Sequence, residues 1–409
     1  MRNNRTISSR IEILRFPLIV GVVFIHNYTS TMHMAQGSIG IEHSSAWADF
    51  MRFFISQGVA RVAVPLFFLV SGYLFFLGQW SWSNYAGKLK RRVNTLLIPF
   101  LFWNLATWAI YTVGRRIPQT RMYFGGGAWP PVGHVSFLDY IGELFGISAR
   151  YPIDYQFWFI RDLIALVVLA PVIYFLLRGK WSLPFLLTLF GLWFAAAWPD
   201  LWPSMVHSIF LPEQLEATLY FSLGAYLSHP GKDVACLDKF GPWISVVFFV
   251  FLVLHSTYQD SLPYLHKLVI LFGVPSLWWL TGLALGRAKL KATLIRLGGD
   301  AFFVFAAQEP LQTVVRKVSY KLLSPTAGAS VLALYLLTPV CIIFLLVVVH
   351  RCLLKILPRF TCVITGSTYR IGQQRAGAAT RVSLQAFARS ASLFFCLSFF
   401  LLSRLRWSA

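Results

Sequence analysis

Residues 10–28 read RIEILRFPLIVGVVFIHNY, and the solvent this stretch requires decides the fold. Between Arg15 and His26 there is no ionic or strongly polar side chain. With its flanks, the segment 11–28 has the length of about 18 to 25 residues that carries an α-helix across a bilayer. The whole chain repeats the pattern. Of its 409 residues, 57% are hydrophobic, 17% aromatic and only 12% charged, against about 25% charged in a soluble domain. So few ionic groups cannot coat a water-facing surface, and the mean hydropathy of +0.64 points the same way. Comparable stretches follow at 56–77, 93–113, 157–177, 181–199, 208–228, 241–258, 264–286, 300–319 and 329–354. The expectation is an all-α polytopic membrane protein of about ten transmembrane helices. Arg10, Glu12 and Arg15 lead into the first apolar run and no small-residue cleavage site follows it, so it reads as a permanent helix and not as a signal peptide.

The formal charge of +21, from 36 Lys and Arg against 15 Asp and Glu, would point to nucleic acid in a soluble protein. Here it reads as topology, because basic residues in short loops stay cytoplasmic. Arg2, Arg5 and Arg10 precede the first span. Lys88, Lys90, Arg91 and Arg92, then Arg178 and Lys180, Lys232 and Lys239, and Arg287, Lys289, Lys291 and Arg296 occupy alternate turns. Both termini are therefore expected in the cytoplasm, with membrane lipids as neighbours and no nucleic acid as partner. Residues 1–360 form the expected membrane domain and 361–409 a basic tail. In that tail SASLFFCLSFFLLS, residues 390–403, is short for a span; an interfacial helix is one reading and an eleventh span another. The five cysteines form no CxxC pair, so neither disulfides nor a metal site is expected.

Ionisable groups inside a spanning helix cost roughly 2.5–3.5 kcal/mol each, so they are read for function first. Arg15 and His26 lie eleven positions apart, only about 20° from three full helical turns, and Glu12 falls about 40° to the other side. All three project into one longitudinal stripe. Arg15 and His26 are about 16 Å apart along it, with Arg15 shallow on the cytoplasmic side and His26 deep toward the outer side. The same residues also read as an i,i+3 ion pair with a snorkelling arginine, plus a hydrogen-bonded interhelix histidine.

The stripe and its surroundings resemble acyltransferase family 3, integral-membrane enzymes that modify surface glycans. Arg15 followed after ten residues by His26, behind Arg10-x-Glu12-x-x-Arg15, matches the opening signature. RVAVPLFFLVSGYLF (Arg61 to Phe75) is similar to the Pro-Leu-Phe-Phe…Ser-Gly-Tyr helix, and KLKRRVNTLLIPFLFWN (Lys88 to Asn104) to the basic approach to helix three. FWFIRDLIALVVLAPVIYFLL (Phe157 to Leu177) and YFSLGAYLS (Tyr220 to Ser228) complete the order. Two departures stand out. Lys88-x-x-Arg91 and Arg92-x-x-Thr95 replace a pair of arginines three apart, and Gln308 stands where a histidine often does.

The resemblance implies an acyl-CoA donor, most simply acetyl-CoA, used from the cytoplasm of a bacterial inner membrane. The acceptor it implies is a hydroxyl of a cell-surface or lipid-linked glycan. In that scheme His26 is the general base, with an acyl-His intermediate as the competing version. Arg15 meets the donor's negative charge or is neutralised by Glu12. Lys88, Arg91 and Arg92 lie where CoA phosphates would arrive, although topology and lipid binding account for them equally. Ser71 packs or polarises a carbonyl, and Gly72 beside it permits close helix approach. Trp158, Arg161 and Asp162 are expected to face the interior near the sugar, or to anchor the helix at the headgroups. The long loop 114–156, with Tyr123, Trp129 and Tyr151, offers aromatic faces to a sugar or simply fills space. Transport of a glycan or lipid, and a non-catalytic scaffold, are the readings from other classes.

Overall fold

The computed structural model describes residues 2–41, 44–124, 137–147, 151–198 and 212–367. Each of the ten apolar stretches contains a helix. These are α1 (Arg2–His26), α2 (Ala46–Phe76), α3 (Trp82–Arg116), α4 and α5 (Tyr155–Val168 and Ala170–Leu176), α6 (Ser182–Ala195), α7 (Pro212–Leu227), α8 (Asp238–Tyr258) and α9 (Tyr264–Leu285). A short surface helix, α10 (Ala288–Gly298), then leads into α11 (Ala301–Leu323), α12 (Gly328–Ile356) and the terminal α13 (Pro358–Thr365). The segment 390–403 and Trp129 lie outside the described residues.

Five of these helices, α2, α3, α8, α9 and α12, are long and apolar enough to cross a membrane. The α4/α5 pair makes a sixth if its 60° bend is one broken span. The others fall short for identifiable reasons. Within the described residues α6 and α7 have 14 and 16 residues, about 21 and 24 Å, below a hydrocarbon core of about 30 Å. Charges lower the hydropathy of α1 and of α11, which carries Glu309, Arg316, Lys317 and Lys321. One element was not expected at all. Thr31–Met34 pairs antiparallel with Gly37–Gly40 in a small hairpin after α1, and Gly37 turns the corner at φ +126°, a backbone region that glycine enters without a Cβ clash.

The surface is built for lipid. Trp243, Val246 and Phe249 on α8 are 74%, 57% and 57% exposed, an apolar face that water would not tolerate at this extent. The interior is held by backbone-close packing of α2 on α7. A Cβ on Gly72 would lie 2.0 Å from the carbonyl oxygen of Phe221, and one on Gly224 would lie 2.0 Å from that of Leu69. Only glycine at both positions lets these two backbones touch. At the far ends of α11 and α12, Asp300 accepts from His350 Nδ1 at 2.8 Å and from Arg351 Nη2 at 2.7 Å, which ties the start of one helix to the end of the other. The last described helix, α13, passes residue 360 and packs in the fold. Trp103 Nε1 donates to the Ile364 carbonyl at 2.9 Å, and Thr361 and Cys362 are buried.

Candidate active site

A cavity of 350 Å³ runs alongside α1. Arg15, Leu18, Val22 and His26 form one of its walls, the i, i+3, i+7, i+11 series that keeps residues on a single helix face. Arg15 and His26 therefore open into the same space. Arg92 and Thr95 of α3 and Gly298 of α10 also line it, and a Cβ on Gly298 would lie 3.8 Å from the Cβ of Arg15. Arg61 and Ser71 of α2 and Gln156 and Trp158 of α4 line it as well. Three irregular turns flank the cationic groups. A π turn over Phe54–Gly58 and a 3₁₀ turn over Val59–Val62 place Arg61, and a second π turn over Val93–Leu97 follows Arg92 directly. Such turns change the residues per turn and so rotate the side chains that follow, which is why they gather at functional sites.

His26 ends α1, and its surroundings hold it still. Arg316 of α11 donates through Nη1 to the His26 carbonyl at 2.7 Å and through Nη2 to the Thr29 carbonyl. A buried guanidinium thus satisfies carbonyls that a helix C-terminus leaves unpaired. The Tyr155 ring meets the imidazole edge-on, with centroids 5.0 Å apart and planes at 78°, and the Tyr155 hydroxyl donates to Glu309 Oε1 at 3.2 Å. Glu309 is buried at the kink of α11, where it adopts φ −97°, ψ 141° just before Pro310, the extended conformation that a following proline imposes. Among the described residues no hydrogen bond engages the imidazole itself. A ring fixed in place with its nitrogens uncommitted, beside a cavity, is equipped to accept a proton.

Comparison with known proteins bears on what the cavity is for. A family profile described as an acyltransferase domain matches residues 8–349. This chain belongs to acyltransferase family 3. Over 380 residues it is 27% identical to the succinoglycan biosynthesis protein ExoH of Rhizobium meliloti (strain 1021), covering 90% of this chain and 94% of that relative. No solved structure matches it.

The acyltransferase brings together only part of the residue set expected from sequence. Arg15, His26, Ser71, Arg92 and Trp158 share the cavity. Glu12 does not line it and, among the described residues, forms no ion pair with Arg15. Lys88 is committed elsewhere, donating to the carbonyls of Phe75 and Leu77, the latter at 3.0 Å, and so capping the end of α2. Arg91 is exposed and outside the cavity. Arg161 and Asp162 pair with each other at 2.9 Å, with Asp162 buried, and neither lines this cavity; their interior charge is balanced locally.

Several groups in the acyltransferase were not anticipated: Arg61, Gln156 and the Tyr155–Glu309–Arg316 chain. The signal for them was present, since Arg61, Glu309 and Arg316 are charges within apolar stretches, the criterion that singled out Arg15 and His26. Gln308, one of the two departures from the family pattern, is fully buried and donates to Gln156 Oε1. It reaches the cavity only through that partner. A second cavity of 540 Å³ shares Arg61, Val64 and Trp158 with the first.

Proposed function

We propose that the chain is a polytopic inner-membrane O-acyltransferase, with ten spans and both termini cytoplasmic, that moves an acetyl group from acetyl-CoA to a hydroxyl of a cell-surface or lipid-linked glycan. The observation that carries this reading is one cavity whose lining includes Arg15, Arg92 and His26, with Arg15 and His26 about 16 Å apart along α1. Membership of the family and similarity to a protein named for succinoglycan biosynthesis support a glycan acceptor. The thioester supplies an activated acyl carbon. Arg15 and Arg92 would hold the donor's anionic groups, and the apolar wall of Leu18, Val22 and Leu163 suits an extended arm. At the far end, the acceptor hydroxyl oxygen forms a bond to the acyl carbon while the carbon–sulfur bond breaks. His26 takes the hydroxyl proton and returns it to the departing thiolate, so charge and atoms balance.

The test is incorporation of labelled acetyl from acetyl-CoA into glycan by intact membranes, with mass spectrometry of surface glycans from cells with and without the gene. Expected is an acetyl mass difference that requires the chain. Glycan flux without any need for acetyl-CoA would replace this reading with transport.

Two neighbouring basic residues separate donor binding from scaffolding. Arg92→Gln should raise the KM for acetyl-CoA roughly tenfold, the loss of about one charge-assisted hydrogen bond, with the melting temperature nearly unchanged. Lys88→Met should leave that KM alone and cost about 1 kcal/mol of stability through uncapped carbonyls. Steady-state kinetics and thermal unfolding of the two variants, side by side, check both; an equal KM effect from Lys88→Met would put the phosphate site elsewhere.

A further inference from the structure

The chamber beyond Arg61 and Trp158 differs in character from the cavity along α1. Its volume of 540 Å³ lies within the range of about 300–1,000 Å³ typical of small-molecule sites. Opposite charges line it: Glu213 and Glu216 from α7, Arg61 from α2 and Lys267 from α9. Lys267 is only 6% exposed, in a helix that is otherwise apolar, where an ammonium is costly to place. Its Nζ sits 4.8 Å from the centre of the Trp193 ring and, among the described residues, makes neither a hydrogen bond nor an ion pair. The same indole donates from Nε1 to Glu216 Oε2 at 3.0 Å. Trp193 is itself fully buried. One rigid ring therefore holds a carboxylate at its edge and an ammonium over its face, and among the described residues the two form no ion pair.

A buried ammonium and a half-buried carboxylate held short of each other carry a desolvation cost that a bridging ligand would relieve. The group able to answer both is a hydroxyl, which donates to a carboxylate and accepts from an ammonium at once. Two carboxylates against Arg61 and Lys267, with His255 and His266 of the lining counted as uncharged, leave it formally neutral, so a ligand without charge preserves the balance and a carboxylate-bearing one upsets it. Trp158, in the wall between the two cavities, adds an aromatic face against which a sugar ring can lie.

We propose that this chamber is the acceptor site and takes one uncharged sugar ring, with Glu216 and Lys267 gripping its hydroxyls, Trp193 positioning the pair, and the reacting hydroxyl directed past Arg61 and Trp158 toward His26. The proposal rests on the acyl-transfer reading above. Its test uses the full chain in lipid nanodiscs and saturation-transfer NMR with methyl glucoside, methyl glucuronoside and the methyl glycoside of glucosamine. The neutral glycoside should bind best. Glu216→Gln and Lys267→Met should each weaken it at least tenfold, and Lys267→Arg should recover most of the loss. Should Lys267→Met fail to fold, Glu216→Gln, which keeps an acceptor for Trp193, decides alone. Preference for either charged glycoside, variants that bind like the parent chain, or no binding of any of the three overturns the proposal. Release of CoA thiol from acetyl-CoA, followed in the same samples, reports separately on the transfer reading: it can fail with glycoside binding intact, and it can persist with the chamber assignment overturned.

Discussion

Replacing His26 with alanine should lower acyl transfer about 10²- to 10⁴-fold, the usual worth of a positioned general base, while the protein inserts and folds as before. The asymmetry follows from how His26 is held. Arg316 binds its backbone carbonyl, which alanine retains, so the end of α1 stays capped. The imidazole contributes one edge-on ring contact with Tyr155 and no hydrogen bond among the described residues. Its removal therefore leaves no buried polar group without a partner, the usual source of large destabilisation. The KM for acetyl-CoA should change little, because Arg15, proposed to hold the donor, lies about 16 Å from His26 along α1. His26→Gln should be as inactive as His26→Ala, since an amide reproduces the size and hydrogen bonding of imidazole without its basicity. Turnover of either variant near that of the parent chain, measured as labelled acetyl reaching glycan, would remove His26 from the chemistry.

The alignment of Arg15 with His26 was legible because the period of an α-helix is rigid. Eleven positions return a side chain to nearly the same face whatever surrounds it, and both residues open into one cavity. Lys88 was not legible in the same way. A basic turn marks the cytoplasmic side of a membrane without saying which lysine is long enough to reach back and cap a neighbouring helix, as Lys88 does at Phe75 and Leu77. Arg161 and Asp162 stood out as interior charges, but adjacent residues of opposite sign can neutralise each other, and spacing alone does not separate that outcome from ligand binding. The hairpin at 31–40 is too short for its alternation to rise above noise. Lys267 and Glu216 were missed for a different reason. Their meaning depends on Trp193, 23 residues from Glu216 in the chain and on a third helix, and such long-range company is a property of the fold.

The close approaches of Gly72 to Phe221 and of Gly224 to Leu69 carry the second large expectation. Gly72→Ala should cost more than the roughly 1–3 kcal/mol usual for an added methylene in a packed core, because the atom it meets is backbone. The new Cβ would fall 2.0 Å from the Phe221 carbonyl oxygen and 2.8 Å from its carbon. A side chain in that place could change rotamer, but a helix backbone can yield only if α2 and α7 separate along their length. Gly224→Ala should behave alike, meeting the Leu69 carbonyl oxygen at 2.0 Å. The double variant should then be less destabilised than the sum of the singles, since one separation relieves both clashes and coupled neighbours are not additive. Activity should fall in step with stability, because α2 carries Arg61 and Ser71 into the cavity. Gly191 on α6 supplies the control. Nothing lies within 4 Å of a Cβ built there, so Gly191→Ala should be neutral or stabilising by up to about 1 kcal/mol through helix propensity. Thermal unfolding of the four variants in one lipid background decides the matter. Gly72→Ala melting with Gly191→Ala would mean that the two helices do not lie backbone to backbone, and the placement of Arg61 and Ser71 beside α1 would lose its basis.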